Sequence, residues 1–165
     1  MKGPMVGAIL LVATLSYPAS TQDRATPQEL MQKVQEAAAS LSKTGEAGLA
    51  AFDSKPGPWA WKDSYVFVLD CEKGIMAAHP KADLVGKPLT ALRTPAGTLA
   101  FELLCAATKS ASGTWAEYSI PKPGEKEVSR KISYAYQATG TAYVAGAGIF
   151  DPVTSITDLE KLITK

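Results

Sequence analysis

Histidine is scarce in this chain, since His79 is the only one among 165 residues, and cysteine occurs only twice. The sequence contains no CxxC or CxxCH motif and no histidine-rich segment. Structural zinc sites and haem attachment sites are built from such clusters. The sequence therefore disfavours both, and we expect neither a metal site nor a cofactor.

An excess of charge of one sign is also lacking. Lysine and arginine number 17 against 16 aspartates and glutamates, which gives a formal net charge of +1. A surface that binds nucleic acid needs clustered positive charge to neutralise phosphates. Nucleic acid is therefore a poor partner for this chain.

Long apolar runs are confined to the N-terminus. Met5 to Leu15 is an uncharged apolar run of about 11 residues, whereas a membrane-spanning helix needs roughly 20. A run of this length after a basic start is typical of a secretory signal peptide. We predict a signal peptide over residues 1–22, with cleavage between Ala19 and Ala25, and a periplasmic or secreted protein without stable membrane insertion afterwards. A short retained membrane anchor is the alternative.

The two cysteines allow one intramolecular pairing. An oxidising compartment permits a bridge between Cys71, at a predicted strand end, and Cys105, in a predicted helix. Whether the two residues meet depends on geometry that a sequence does not contain. Two buried, small apolar side chains are the alternative.

A long helix is predicted to begin the domain, which covers residues 26–165 and has the length of a single domain. Thr26 is a favourable N-cap, Pro27 suits the first helical position, and Glu29 gives an acidic first turn. Five apolar residues then recur at helical spacing and form one stripe. The residues of this stripe are Leu30, Val34, Ala37, Ala38 and Leu41.

The spacing of the apolar residues then changes to that of strands. "YVFVLDC" and "IMAAH" predict a hairpin that turns at "EKG", whereas the preceding "SKPGPWAW" is predicted to be a loop. Short helical turns follow, with a helix over about 98–109 that buries Leu99, Leu103, Ala106 and Ala107. Three more strands are predicted from "TWAEYSI", "VSRKISYAYQA" and "TAYVAGAGIF", before a closing helix.

This order of elements predicts an α+β fold with a five-stranded, mostly antiparallel sheet. The long N-terminal helix can cover one face of the sheet. The small helices between the second and third strands can cover the other face, and a pocket belongs between them and the sheet. The glycines of "GAGIF" end a strand rather than open a helix, so they do not form a nucleotide-binding loop. We expect them to let a ligand or a helix approach the sheet closely.

Six stretches of the sequence are specific in combination. They are "KDSYVFVLD", "AAHP" after a glycine turn, "LVGKPL", "GTWAEY", "RKISY" and "YVAGAGIF", and the region that they mark runs from roughly Gln28 to Phe150. With these stretches the chain resembles a single Cache domain of the second type, the PAS-like extracytoplasmic sensor module of bacterial chemoreceptors and sensor kinases. The resemblance implies a PAS-like fold that holds a small organic acid, such as pyruvate, lactate, acetate or propionate, without chemistry.

Two features depart from the pattern of that family. Thr94-Pro95 stand ahead of Gly97 where many relatives carry an acidic residue, which could reshape the lid of the pocket. No kinase or methyl-accepting region follows the last predicted helix in this sequence, so we expect the free-standing exported form. Signalling would then need a separate membrane sensor kinase or receptor as partner.

Lys131 is the strongest candidate for contact with an anionic ligand. Strand alternation puts Lys131 and Ser133 on one face of the sheet, and Ile132 and Tyr134 on the other. A lysine in the middle of a sheet is costly to bury unless it is paired, and a bound carboxylate would supply the partner. The alternatives are an exposed lysine at a sheet edge and a salt bridge to Glu117.

His79 is expected to border the same pocket. No Ser, Cys or carboxylate motif at a recognisable spacing accompanies it, so the sequence is poor evidence for a nucleophilic site, and no catalytic residue is predicted. An imidazole at a strand end can donate a hydrogen bond to a carboxylate, which suits an organic acid. A purely structural histidine is the alternative.

Aromatic residues complete the predicted ligand-binding set. Large aromatics in strands are core residues by default, although tyrosine hydroxyls at a pocket rim can hydrogen-bond a carboxylate. The predicted set, with a polar edge and an apolar wall, is Lys131, His79, Tyr118, Tyr65, Phe67, Trp115 and Tyr134.

Two other functions compete with ligand binding. One is an interaction or structural module with a collapsed pocket, which acts through its surface or its long helix. The other is an enzyme that uses His79 as a base, which the sequence favours least.

Overall fold

The structure is a computed structural model that describes residues 23–91 and 100–164. The predicted signal peptide, the Thr94-Pro95 dipeptide, Gly97 and Leu99 lie outside these residues. Within the described ranges, no helix combines the length and the apolarity that are needed to cross a bilayer.

Helix α1 spans Pro27–Thr44 and begins after Thr26, the predicted N-cap, which forms a capping box with Glu29. Thr26 Oγ1 accepts a hydrogen bond from the Glu29 backbone N–H at 3.2 Å, and the Glu29 carboxylate accepts one from the Thr26 backbone N–H at 2.8 Å. This reciprocal pair satisfies two backbone donors that a helix N-terminus leaves free. All five residues of the predicted apolar stripe are buried, so this prediction is confirmed.

The sheet has six antiparallel strands in the order β1-β2-β6-β5-β4, with β3 also paired to β2. Because β6 occupies one edge of β2, the short strands β1 and β3 share the other. The prediction of a five-stranded antiparallel sheet missed β1, which lies in the segment that was predicted to be a loop. The strands are β1 Ala60–Trp61, β2 Ser64–Asp70, β3 Ile75–Ala78, β4 Thr114–Pro121, β5 Val128–Gln137 and β6 Tyr143–Phe150.

The helices divide between the two faces of this sheet. Helix α1 packs its apolar stripe on one face, together with α3 (Ile156–Ile163). Helix α2 (Ala100–Cys105) packs on the opposite face, where short 3₁₀ turns at Ala82–Leu84 and Leu89–Ala91 also lie. The α+β layout and the assignment of helices to faces are confirmed.

A disulfide joins the end of the β2 region to α2. Cys71 and Cys105 are bonded, with their Cα atoms 5.8 Å apart, so the bridge rather than two free thiols is the correct alternative. The buried side of α2 consists of Ala100 and Leu104, whereas Leu103 is 46% exposed. Of the predicted buried side, Ala107 is confirmed, whereas Leu103 and Ala106 are exposed and their prediction is wrong, because the bridge at Cys105 fixes the rotation of the helix.

Candidate ligand-binding site

A cleft of about 1170 Å³ lies on the face of the sheet that carries α2. Its floor is formed by residues of β2, β4, β5 and β6, and its walls by the segment after β3 and by α2. The predicted pocket between sheet and small helices is therefore present. Five of the seven residues that the sequence singles out line it, and these are Lys131, His79, Tyr118, Tyr65 and Phe67.

Lys131 lies in the middle of β5, between Tyr118 of β4 and Phe150 of β6. Its side chain is only 6% exposed, and its Nζ lies 5.5 Å from the centroid of the Tyr65 ring and 5.4 Å from that of Phe150. Such ring faces attract a cation by roughly 0.5–2 kcal/mol. They do not replace an anion, because their hydrogen-bond acceptor capacity is weak.

The Lys131 ammonium has no carboxylate partner within ion-pair distance in the described part of the chain. Glu117, the acid that the sequence offered as a partner, instead binds Arg130 at 2.6 Å. Burial, with a smaller contribution from the nearby charge of Lys55, lowers the pKa of Lys131 to about 8. At neutral pH the cleft thus contains a buried cation without a counter-ion among the described residues. Lys131 is neither exposed nor paired with Glu117, so both alternatives for this lysine are wrong.

His79 follows β3 directly and is held by its backbone neighbours. Its backbone N–H donates to Asp53 Oδ1 at 3.1 Å, and its Nδ1 accepts from the Lys81 backbone N–H at 2.8 Å. Since Nδ1 is an acceptor, the proton of the neutral ring resides on Nε2. The ring packs edge-on against Tyr65 at 5.0 Å and faces Phe67 at 6.4 Å, measured between centroids.

The imidazole of His79 remains neutral at physiological pH. Burial, followed by the positive charges of Lys131 and Lys81, lowers its pKa to about 4. Its Nε2–H has no acceptor among the described residues. The cleft therefore offers a neutral donor beside the buried ammonium, which is an arrangement suited to a carboxylate.

Tyr118 and Ser133 form a buried hydrogen bond between their hydroxyl groups, at 2.8 Å. Burial raises the pKa of the Tyr118 hydroxyl, which therefore remains protonated. Gly148, on the neighbouring strand, leaves room for this pair, because a Cβ at Gly148 would collide with Ser133 Oγ and approach Lys131 Cε at 2.8 Å. The glycine makes space for the lysine stem rather than for a helix.

An apolar wall faces these polar groups. Phe67 is 2% exposed and meets Phe101 of α2 edge-on, with ring centroids 6.1 Å apart. Gly146 lies directly opposite Phe67 on β6, and a Cβ there would come within 2.7 Å of the phenyl ring. Both glycines of the "GAG" segment thus accommodate side chains of adjacent strands. Gly148 also lines the cleft, so the expectation that these glycines let a ligand approach the sheet stays a prediction.

Trp115 and Tyr134 do not belong to the cleft, so their predicted place in it is wrong. They pack against each other at 5.1 Å on the face covered by α1. The Tyr134 hydroxyl donates to the Ser112 carbonyl at 2.7 Å and accepts from Gln35 Nε2 at 3.3 Å. The reason is the alternation of β4 and β5, which sends Trp115 and Tyr134 to the face opposite Tyr118 and Lys131.

Sequence reasoning missed four lining residues that lie next to residues of the predicted set or to each other. They are Lys55, Lys122, Phe101 and Phe150. Lys55 Nζ lies 5.1 Å from the Tyr65 ring centroid, and Lys122 Nζ lies 5.8 Å from that of Phe150. Phe150 follows the same alternation as the rest of β6, so its position was accessible from the pattern. Lys55 and Lys122 come from loops, and Phe101 from a helix whose rotation the disulfide sets, so no local signal identifies them.

Comparison with known proteins agrees with this architecture. The Cache domain family matches residues 60–152, which is more than half of the chain. None of the curated proteins compared with the chain matches its sequence.

Solved structures with the same fold are distant in sequence. A Cache chemosensory domain whose structure addresses carboxylic acid recognition is 23% identical, with a TM-score of 0.60 over 74% of this chain and 91% of that chain. A periplasmic sensor domain of a chemotaxis protein is 24% identical, with a TM-score of 0.59 over 75% and 92%. A methyl-accepting chemotaxis protein from Vibrio parahaemolyticus is 21% identical, with a TM-score of 0.56 over 80% and 89%. At this level of identity the similarity concerns the fold alone. The family match rests on the sequence and covers more than half of the chain, so the chain belongs to the Cache domain family.

Proposed function

We propose that this domain binds a small organic acid, of the pyruvate, lactate, acetate or propionate class, in the cleft and without chemistry. The observation that carries the proposal is the buried Lys131 ammonium, which has no counter-ion among the described residues. A buried charge is costly unless it is paired and hydrogen-bonded. A carboxylate in the cleft would supply the missing partner.

The ligand-binding role of the individual residues follows from their chemistry. One carboxylate oxygen would accept from Lys131 Nζ, and the other from His79 Nε2–H, since both donors line the same cleft. Phe67 and Phe101 would contact the hydrocarbon part of the acid. A few convergent polar groups in a mainly apolar cleft are typical of small-molecule sites. The open cleft argues against the alternative of a module with a collapsed pocket.

His79 is poorly suited to general-base catalysis. Its Nδ1 is already an acceptor for the Lys81 backbone, and its Nε2 carries the proton, so neither nitrogen is free to take a proton from a substrate. This supports binding without turnover. Turnover of an added acid that is lost in His79→Phe would overturn this part of the proposal.

We further propose that the domain acts outside the cytoplasm, after cleavage of the predicted signal peptide, and reports to a membrane sensor kinase or receptor. The proposal is supported by the disulfide, which is typical of oxidising compartments, and by the fold shared with a periplasmic sensor domain. Mass analysis of the exported protein would test it, since a retained N-terminus would contradict the cleavage.

A thermal-shift panel of two- to four-carbon acids tests the binding function. A ligand at 100 times its dissociation constant adds about 2.7 kcal/mol to the free energy of unfolding. We expect a shift for at least one acid in the wild-type protein and none in Lys131→Met. Lys126→Met is the matched control, because Lys126 lies in the exposed hairpin outside the cleft lining. No shift with any acid would contradict the proposal and favour an interaction module.

A further inference from the structure

Two lysines approach the same aromatic ring in the cleft. The Lys55 ammonium lies 5.1 Å and the Lys131 ammonium 5.5 Å from the centroid of Tyr65. The two nitrogens are therefore separated by no more than the sum of these distances. Lys131 is buried at the floor, whereas Lys55 belongs to the exposed loop before β1 and lies at the rim. The cleft thus contains two ammonium groups at different depths, that of Lys131 at the floor and that of Lys55 at the rim.

The acids of the cleft do not cancel this charge. Its lining carries five cationic side chains but only two carboxylates, those of Asp63 and Glu125. Asp63 Oδ1 is engaged by the Ala25 backbone N–H at 2.8 Å. In the described residues, neither Lys55 nor Lys131 has a carboxylate within ion-pair distance. One monocarboxylate would neutralise only one of the two ammonium groups.

From this arrangement we propose that the preferred ligand carries two carboxylates, with one bound by Lys131 and His79 and the other by Lys55. The inference rests on the proposed carboxylate-binding function and extends its ligand class from small monocarboxylates to dicarboxylates of four or five carbons. With C–C bonds of about 1.5 Å, the two carboxylates of such a chain lie about 4–6 Å apart. Hydrogen bonds of about 2.7–2.9 Å at each end then fit within the maximum separation of the two nitrogens.

Two lysines at the rim lie near the rings that Lys131 contacts, Lys55 near Tyr65 and Lys122 near Phe150. Lys55 is the better candidate for binding the second carboxylate. Lys122 lies against Phe150, whereas His79 contacts the ring of Tyr65. Lys55 shares the Tyr65 ring with Lys131 and contacts the same aromatic group as His79. A ligand that is held by Lys131 and His79 therefore extends toward Lys55.

Succinate and butyrate form the matched ligand pair, because both have four carbons and differ in whether the far end is a carboxylate or a methyl group. Isothermal titration calorimetry at pH 7 and fixed ionic strength would compare them on wild type, Lys55→Gln and Lys126→Gln. A charge-assisted hydrogen bond contributes about 1.5–3 kcal/mol, so we expect succinate to bind wild type at least about tenfold more tightly than butyrate. Lys55→Gln should remove most of this preference and leave butyrate affinity within about twofold, whereas Lys126→Gln should preserve it.

The outcomes separate this inference from the function on which it rests. Equal affinity for succinate and butyrate, or a preference that survives Lys55→Gln, would overturn the second carboxylate site and leave monocarboxylate binding intact. A preference lost in Lys122→Gln but kept in Lys55→Gln would overturn the assignment to Lys55. If neither acid binds wild type, this inference is wrong, and the proposed function is wrong as well only if the thermal-shift panel also gives no shift with any acid.

Discussion

Replacing Lys131 by methionine should stabilise the unliganded protein, which is the opposite of what most core substitutions do. The methionine keeps an unbranched stem of similar length and removes the buried charge. The fall of the Lys131 pKa from 10.5 to about 8 corresponds to a cost of about 3 kcal/mol at neutral pH, since one pKa unit is about 1.4 kcal/mol. The contacts of the ammonium with the rings of Tyr65 and Phe150 offset about 1 kcal/mol of this cost.

The expected net gain in the free energy of unfolding is therefore about 2 kcal/mol at pH 7, or about 4–8 °C in Tm for a domain of this size. Urea unfolding of both proteins, without added acids, measures it. The difference should also depend on pH. The unfolded chain holds the Lys131 proton more tightly than the folded protein does, so the free energy of unfolding of wild type rises between about pH 8 and 10.5. The stability difference between Lys131→Met and wild type therefore shrinks over this range.

A carboxylate ligand should reverse the order of the two proteins, because it stabilises wild type alone. Lys126→Met, in the exposed hairpin, is the control and should change stability by less than about 0.5 kcal/mol. If Lys131→Met is less stable than wild type at pH 7 without ligand, the ammonium has a partner in the protein. The reasoning about an uncompensated charge would then be refuted.

Three further changes have defined outcomes. Carboxylate affinity, measured by calorimetry, should fall about tenfold between pH 7 and 9 as Lys131 loses its proton, and a flat profile would exclude this lysine from the site. Replacing Cys71 and Cys105 together by serine should lower the free energy of unfolding by about 3–4 kcal/mol, because the bridge closes a loop with a sequence separation of 34; an unchanged urea midpoint would contradict it. Gly146→Ala should cost about 1–3 kcal/mol, since the new Cβ would lie 2.7 Å from the Phe67 ring, and wild-type stability would show that the ring can move away.

The sequence specified those parts of the fold that depend on local chemistry. The capping box of Thr26 and Glu29 needs only residues three positions apart, so the start of α1 could be predicted. The alternation along β5 likewise separates Lys131 from Tyr134 in any sheet. The alternation favoured Lys131 in the pocket but left an exposed lysine and a salt bridge to Glu117 as alternatives, which only the structure decides.

Features that depend on tertiary contacts were not accessible in this way. The rotation of α2, and with it the position of Phe101, depends on a disulfide that two cysteines permit but do not require. Trp115 was assigned to the pocket because large aromatics suit both a wall and a core, and its strand partner Tyr134 shows that it belongs to the core. Lys55 reaches the cleft from a loop, where no periodicity reports the direction of a side chain.

A crystal structure of the protein with a bound carboxylate tests the central claim most directly. We expect a carboxylate oxygen at about 2.7–2.9 Å from Lys131 Nζ, with His79 Nε2 as a second donor. A carboxylate bound away from Lys131, or a Lys131 ammonium paired with an acid of the protein itself, would contradict the account.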